Sequence, residues 1–314
     1  MARKTRRMSK SKKVIKRLME MKDGYLNIAS LELYQLPESV LWKNVVHLNC
    51  EYNMITQLPE MPKLEKLEAT SCDLVVLPEL PNIKFLDCSY NQLTVLPELP
   101  NVEYLDCGRN QLSVLPELPR VEFLDCGHNK LTHLPELPVV NELHCDINQL
   151  TNLPKMDAIT KLFCARNELT AITNFPGLKY LNCSQNQITQ ILCYPNLEHL
   201  NCSDNQITHL PDFPKIKELE CYSNNLTVLP KPPNTIDYCI PNFNPLYYNP
   251  DFNNLYWKII DFITLKIYIT RWRKFNQLSI SRKKQDIHNE LLYSPDLPFY
   301  KNQPEYVHWI ENSK

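Results

Sequence analysis

Apolar residues along this chain recur at a period that fits neither a lone strand nor a lone helix. Leu48, Leu67, Leu86, Leu105, Leu124, Leu143, Leu162, Leu181, Leu200 and Leu219 stand 19 residues apart without a slip. In phase with them run Asn53, Asn91, Asn110, Asn129, Asn148, Asn167, Asn186, Asn205 and Asn224, with Cys72 in the one gap. The unit reads L-x-C-x-x-N-x-L-x-x-L-P-x-L-P-x-L-x-x. A weaker first copy, LNIASLELYQLP, begins at Leu26, and a degenerate last copy runs through IDYCIPNFNPL. A short fixed period of this kind marks a stacked repeat array, here of about 11–12 units.

Each unit offers about six side chains for burial, too few to fold alone, so stacked units must share one continuous core. Residues two apart in a strand face the same side. The Leu and Cys of L-x-C therefore point inward, and the residue between them points out. Parallel strands need a crossover, and the rest of the unit supplies it. Its two prolines each cost a helix about 3 kcal/mol, so the return segment is expected to be extended and polyproline-like. The asparagine suits the turn, because its amide both donates to and accepts from backbone groups. The predicted fold is a β-rich solenoid over residues 26–246, with short parallel strands on a concave face. Helical caps are expected at both ends, in residues 1–25 and 247–314.

These motifs give the chain a resemblance to the leucine-rich-repeat superfamily over residues 26–246. The short L-P-x-L-P unit is similar to that of bacterial LPX-type effectors. The strand cysteine and the Lys/Asn/Ile/Tyr-rich composition are similar to leucine-rich-repeat proteins of giant DNA viruses such as mimivirus. The resemblance implies a horseshoe solenoid that binds a partner. It specifies fold more sharply than function, since one scaffold serves many partners.

Charge and composition narrow the classes. The first 17 residues hold nine basic residues and no acid, the last 60 hold ten basic and six acidic, and positions 18–254 hold 15 against 29. Such an acidic body repels phosphate, so nucleic acid is expected only at the basic residues 3–17. The longest apolar candidate, Trp257 to Ile269, contains Lys258, Asp261 and Lys266, and no membrane span is expected. No apolar core follows the basic start, as a signal peptide would require. A cytoplasmic and monomeric chain is expected, its basic start also being a nuclear-import candidate. Only 4 glycines against 25 prolines argue against an enzyme built on glycine-rich phosphate loops. No G-x-S-x-G, H-E-x-x-H, P-loop or paired acid–base motif occurs. Neither a catalytic residue nor a cofactor is expected.

Cys50, Cys88, Cys107, Cys126, Cys145, Cys164, Cys183, Cys202 and Cys221 share one repeat position. A metal site, a redox relay and a disulfide ladder are the functional alternatives to plain packing of small apolar side chains. In-register parallel neighbours point the same way, which is poor disulfide geometry. No C-x-x-C occurs, and His144 faces away from Cys145, so no metal is expected. The twelve thiols read as buried, reduced packing groups, which fits a cytosolic setting.

The outward strand positions form two columns. Before each leucine stand His47, Lys66, Phe85, Tyr104, Phe123, Glu142, Lys161, Tyr180, His199 and Glu218. After it stand Asn49, Glu68, Asp87, Asp106, Asp125, His144, Phe163, Asn182, Asn201 and Glu220. Phe85, Tyr104 and Phe123 thus lie beside Asp87, Asp106 and Asp125, with Gly108 and Gly127 leaving room. Aromatic faces attract cations and carboxylates accept charge-assisted hydrogen bonds, so the expected ligand is a Lys- or Arg-bearing protein segment. Arg109, His128 and Arg166 are expected to shape one edge. The plainer alternative is a duplicated F/Y-L-D-C unit that keeps the sheet soluble. Glu60, Glu79, Glu98, Glu117 and Glu136 recur on the return side and read as a solvated face.

At the ends, Val14, Ile15, Leu18, Met19 and Met21 predict a short amphipathic helix from Lys12 to Lys22 covering the first strand. The basic residues before it read either as a targeting or nucleic-acid patch or as a solvated tail. Leu265, Tyr268, Ile269, Trp272 and Phe275 predict a second helix, read as a cap or as a basic helix for a membrane surface or calmodulin-like partner. The function expected is a non-catalytic binding module whose partner is a protein, of the host if the chain is viral. One alternative is a substrate-recognition subunit for a host ubiquitin ligase, for which 25 leading residues are short of an F-box. Another follows from the resemblance, since LPX-type effectors include ubiquitin ligases with a catalytic cysteine beside the repeats. Here the last cysteine, Cys239, falls within the last copy, which argues against a thioester mechanism.

Overall fold

A computed structural model of the chain describes residues 2–230 and 238–250, and with them residues 273, 274, 277 and 283–285. It divides into two compact units, Met1–Asn249 and Pro250–Lys314. The described residues of the second unit, among them Arg273, Lys274, Lys283 and Lys284, are helical and exposed. The stripe from Leu265 to Phe275 and the expected C-terminal cap lie outside the described residues.

In the first unit twelve parallel strands of three residues pair in chain order in one sheet. They are β1 (Tyr25–Asn27), β2 (His47–Asn49), β3 (Lys66–Glu68), β4 (Phe85–Asp87), β5 (Tyr104–Asp106) and β6 (Phe123–Asp125). Then follow β7 (Glu142–His144), β8 (Lys161–Phe163), β9 (Tyr180–Asn182), β10 (His199–Asn201), β11 (Glu218–Glu220) and β12 (Tyr238–Ile240). Leucine faces leucine across the sheet, as Leu86 does Leu105 and Leu105 does Leu124. Each strand from β4 to β7 buries its middle residue and leaves its neighbours half-exposed. The core of one repeat is Leu105, Cys107, Leu112, Leu115, Leu118 and Val121, none more than 5% exposed. The L-P-x-L-P return segments form neither helix nor strand, as two prolines per segment demand.

The two end copies keep the plan with altered spacing. Leu26 of β1 pairs with Leu48, and Cys239 of β12 takes the leucine position opposite Leu219. Between β1 and β2 the extra residues form a 3-10 helix, Val40–Asn44, where the Ser39 hydroxyl accepts the Leu41 N–H at 3.2 Å. Trp42 is buried there and donates its indole N–H to the Pro37 carbonyl at 2.9 Å.

Helix α1 (Ala2–Met19) packs against β1 and that 3-10 helix. It is longer than the segment from Lys12 read from apolar spacing, because the Lys and Arg residues ahead of it are themselves good helix formers. It buries Val14 and Leu18, while Met19 is 72% exposed, contrary to the expected stripe. Lys10 pairs with Glu32 at 2.7 Å, and the Arg17 guanidinium donates to the Asn27 carbonyl.

The asparagines link the repeats in pairs. The Asn110 amide donates to the carbonyls of Cys88 and Cys107, each at 3.0 Å, and its Oδ1 accepts the Leu93 N–H at 3.0 Å. The Cys88 carbonyl also accepts from Asn91, and the Cys107 carbonyl from Asn129. Each such carbonyl is therefore shared by two asparagines, one from its own repeat and one from the next. The ladder reaches Asn53 at one end, and at the other Asn244, fully buried, serves Leu226 and Cys221.

Immediately before each ladder position sits a residue with positive φ. Tyr52, Ser71, Tyr90, Arg109, His128, Ile147, Arg166, Gln185, Asp204, Ser223 and Phe243 all lie between +51° and +56°. That region costs an L-residue roughly 1–2 kcal/mol. A hydrogen bond to the next repeat offsets the cost, since the Arg109 N–H donates to the Gly127 carbonyl and the His128 N–H to that of Asp146, both at 2.8 Å. Asparagine tolerates this conformation best among side-chain-bearing residues. Tyr52 is 61% exposed and loses little packing on substitution. Tyr52→Asn is expected to raise stability by about 1 kcal/mol, read as a shift in the urea midpoint. Tyr52→Ala is the control, and an equal gain from alanine would remove the backbone explanation.

The cysteine column is buried from Cys50 to Cys221, as expected of packing groups. Burial pushes the thiols of Cys88, Cys107, Cys126, Cys145 and Cys164 well up from the ordinary cysteine range. All twelve cysteines are free, but not all are buried: Cys193 is exposed and Cys239 half-buried. Neither occupies the column position, so the expectation that all twelve are buried fails at these two, which the repeat does not place in the core.

Candidate functional site

The open face of the sheet carries the two outward columns, and their chemistry is more constrained than alternation alone implies. Asp106 accepts the Gly108 N–H at 3.0 Å and Asp125 the Gly127 N–H at 2.9 Å, each through Oδ1. Asp87 does the same for the N–H of Ser89, at 3.1 Å, and for its hydroxyl, at 2.7 Å. Asn182 and Asn201 make the equivalent bond with Ser184 and Ser203. These aspartates and asparagines thus close the turn at the strand end through one oxygen each, and the aspartates keep a second carboxylate oxygen for other work.

The glycines matter sterically. A Cβ at Gly108 would lie 3.1 Å from an Asp125 oxygen and 3.3 Å from an Asp106 oxygen, and one at Gly127 would lie 3.2 Å from Asp125. Asp146 stands where the two preceding repeats have glycine, and its Oδ1 accepts the Ala165 N–H at 2.7 Å. It extends the acidic row by one residue, in a position the column reading passed over.

Among the described residues Asp87, Asp106 and Asp125 form no ion pair. Burial, and then the charges of Asp125 and Asp87, push the Asp106 carboxyl up to about 6 against the lowering hydrogen bond from Gly108. Burial likewise raises the Tyr104 phenol, with Asp106 adding to it. Elsewhere on the face three acids have basic partners within the chain, while Glu220 accepts from the Asn201 amide at 2.7 Å. Glu142 meets Lys161 at 2.8 Å and His144 at 3.0 Å, Lys66 meets Glu68 at 2.8 Å, and His199 meets Glu218 at 3.0 Å.

The rings form a continuous ladder. Phe85 and Tyr104 stack at 4.3 Å between centroids, and Tyr104 and Phe123 at 4.5 Å, both within 4° of parallel. The ladder continues through His144, Phe163, Tyr180 and His199, with centroid spacings of 5.6, 4.2, 4.7 and 5.5 Å. It crosses to the second column at His144 and returns to the first at Tyr180. Each column read alone shows only fragments of it. The stacking also changes what the rings offer. The faces of Tyr104 are covered by its neighbours, and Lys66 already sits 4.5 Å over the Phe85 ring. The open surface of this stack is ring edge, so recognition of an incoming cation falls to the carboxylates.

Arg109, His128 and Arg166 stand in the positive-φ column along one margin. Arg109 lies 5.0 Å over the Tyr90 ring, and Arg166 donates to Gln185 at 2.9 Å. Burial and the neighbouring Arg109 lower the His128 imidazole, which favours its neutral form at neutral pH. Among the described residues no group of three or more His, Cys, Asp or Glu side chains is arranged to hold a metal ion. No described helix is long and apolar enough to cross a membrane.

Family models match two stretches: leucine rich repeats (2 copies) at residues 81–119 and a leucine rich repeat at residues 196–216. No curated protein matches the chain. Among solved structures, YopM from Yersinia enterocolitica WA-314 superimposes with a TM-score of 0.62 at 29% identity, over 74% of this chain and 59% of that one. The chain therefore spans under two thirds of that YopM. YopM from Yersinia pestis, a leucine-rich effector protein, gives 0.55 at 28% identity, over 74% of this chain and 82% of that one. A leucine-rich-repeat protein of Leptospira interrogans gives 0.50 at 22% identity, over 73% and 80%. The in-register strands, the shared asparagine ladder and these likenesses describe one architecture: the chain folds as a leucine-rich-repeat solenoid.

Proposed function

We propose that the chain is a non-catalytic protein-binding module, and that β4 to β6 receive a Lys- or Arg-bearing segment of another protein. The observation that supports this reading is the row of Asp87, Asp106 and Asp125, three carboxylates without an ion-pair partner among the described residues. By contrast, Glu68 and Glu142 on the same face are met by lysines of the chain itself, and Glu218 by His199. A guanidinium bridging two of the free oxygens forms strong charge-assisted bonds, and the ring edges beside them supply apolar area. Arg109 and Arg166 repel a cation displaced toward their margin and so fix the register of the bound segment. The partner is a host protein if the chain is viral, and a cytoplasmic setting accords with the buried free thiols.

The test is Asp87/Asp106/Asp125→Asn, assayed against an array of Lys/Arg-rich peptides and by pull-down from a candidate host lysate. Asparagine keeps the Oδ1 that closes the turn, as Asn182 and Asn201 do, so the variant removes charge and leaves the fold. Loss of even one hydrogen bond to a charged group, about 1.5–3 kcal/mol, weakens binding roughly tenfold or more. The native interaction should also weaken with added salt. Unchanged binding of every interactor would place the binding surface elsewhere.

A further inference from the structure

The third repeat breaks both ladders at once. Where its neighbours carry cysteine after the strand it has Ala69, and where they carry asparagine it has Cys72. The thiol is thereby moved out of the in-register column into a diagonal position one repeat beyond Cys50. The Cys72 thiol donates to the Cys50 carbonyl at 3.2 Å, so its sulfur lies against the residue that bears the other. Column neighbours point the same way and are badly placed for an S–S bond. The diagonal pair escapes that obstacle, because the Cys72 thiol reaches back to the Cys50 backbone rather than standing beside it in register.

The two sulfurs differ in kind. Cys50 is fully buried, whereas Cys72 is 6% exposed. The neighbouring Cys50 side chain, helped by the Asn53 backbone, holds the Cys72 thiol below the ordinary cysteine range against burial and the charges of Asp73 and Glu51. The proximity of Cys72 and burial push Cys50 well up. One sulfur is suited to attack and the other to resolve.

We propose that Cys50 and Cys72 are a reversible oxidation site that closes to a disulfide joining the second and third repeats. The oxidant is hydrogen peroxide, small enough to meet a sulfur of such slight exposure. The Cys72 thiolate attacks one peroxide oxygen: the S–O bond forms, the O–O bond breaks, and the departing hydroxide takes a proton to become water. The Cys50 sulfur, giving up its proton, attacks the resulting sulfenic acid. The S–S bond forms, the S–O bond breaks, and a second water leaves. Two thiols lose two electrons, and the peroxide gains them. A thiol reductant reverses the step by exchange.

The experiment uses the folded full chain with Cys193→Ser, which removes the exposed thiol. Peroxide treatment is followed by alkylation of free thiols, trypsin digestion and mass spectrometry. Lys43, Lys63, Lys66 and Lys84 bound the tryptic peptides 44–63 and 67–84, so the two cysteines separate unless they are bonded. The expected result is a cross-linked 44–63/67–84 pair, two hydrogens lighter than its parts and released by dithiothreitol. It should vanish in Cys72→Asn, which carries the ladder residue of the other repeats. Recovery of both peptides alkylated would overturn the proposal, as would a Cys72 that stops at the sulfinic acid. A comparable yield of column links such as Cys88–Cys107 would overturn it too, because the thiols would then be reacting through an opened chain.

Discussion

Leu105→Ala is expected to destabilise the protein by about 2–5 kcal/mol, the cost of a cavity in a core that cannot fully collapse around it. Leu105 is 0% exposed and lies between Leu86 and Leu124 in the same register. Repeats contact only their neighbours, so hydrogen exchange should quicken in the repeats beginning at Leu86, Leu105 and Leu124 and stay slower near Leu200. The adjacent Asp106→Asn should act oppositely. Burial pushes the Asp106 carboxyl up to about 6, so its ionised form is less at home in the folded chain than in the unfolded one. Near pH 7 neutral asparagine should therefore be the more stable residue. Its advantage should shrink as pH falls through 6 toward the ordinary carboxylate range, where the native carboxyl is protonated in both states. Urea unfolding of both variants at pH 7 and pH 5 reads these effects. Equal destabilisation by the two substitutions would mean that the strand faces are misassigned.

The strand faces were legible because an inward leucine and an outward aspartate alternate at a period no other structure satisfies. The asparagine's role was legible too, since few side chains both donate and accept. Four features were not. The seven-ring ladder from Phe85 to His199 switches columns at His144 and Tyr180, and a column-by-column reading follows one register position at a time. The ring faces looked available to a cation, but strand spacing brings Phe85, Tyr104 and Phe123 into stacking contact, and their faces cover one another. The positive φ at Tyr90, Arg109, His128 and Ile147 has no sequence signal, because residues so unlike are held there by hydrogen bonds to the next repeat rather than by propensity. The acidic row Asp87/Asp106/Asp125 was visible at once, whereas its second duty, closing the strand-end turns, depends on backbone geometry.

The second large effect is expected at Asn110. Its side chain is buried, and its bonds to Cys88, Cys107 and Leu93, with a longer one to the Gly108 carbonyl, span two repeats. In Asn110→Ala the Cys88 carbonyl keeps Asn91 and the Cys107 carbonyl keeps Asn129, each losing one of its two donors. The Leu93 N–H loses the Oδ1 that accepts it, and a buried donor left unmade costs about 1–3 kcal/mol. The vacated volume and two half-served carbonyls add to that, for roughly 2–4 kcal/mol in all. Asn110→Asp discriminates the cause. It restores an acceptor for Leu93 but faces two carbonyls with a carboxylate that has no proton to give, so it should rescue little near pH 7. As pH falls and the carboxyl takes up a proton, it regains a donor, and its stability should rise relative to the alanine variant. Urea unfolding of both variants from pH 7 to pH 4 measures the difference. A gap that stays constant across that range would show that Asn110 acts by filling space, not by bonding the repeats together.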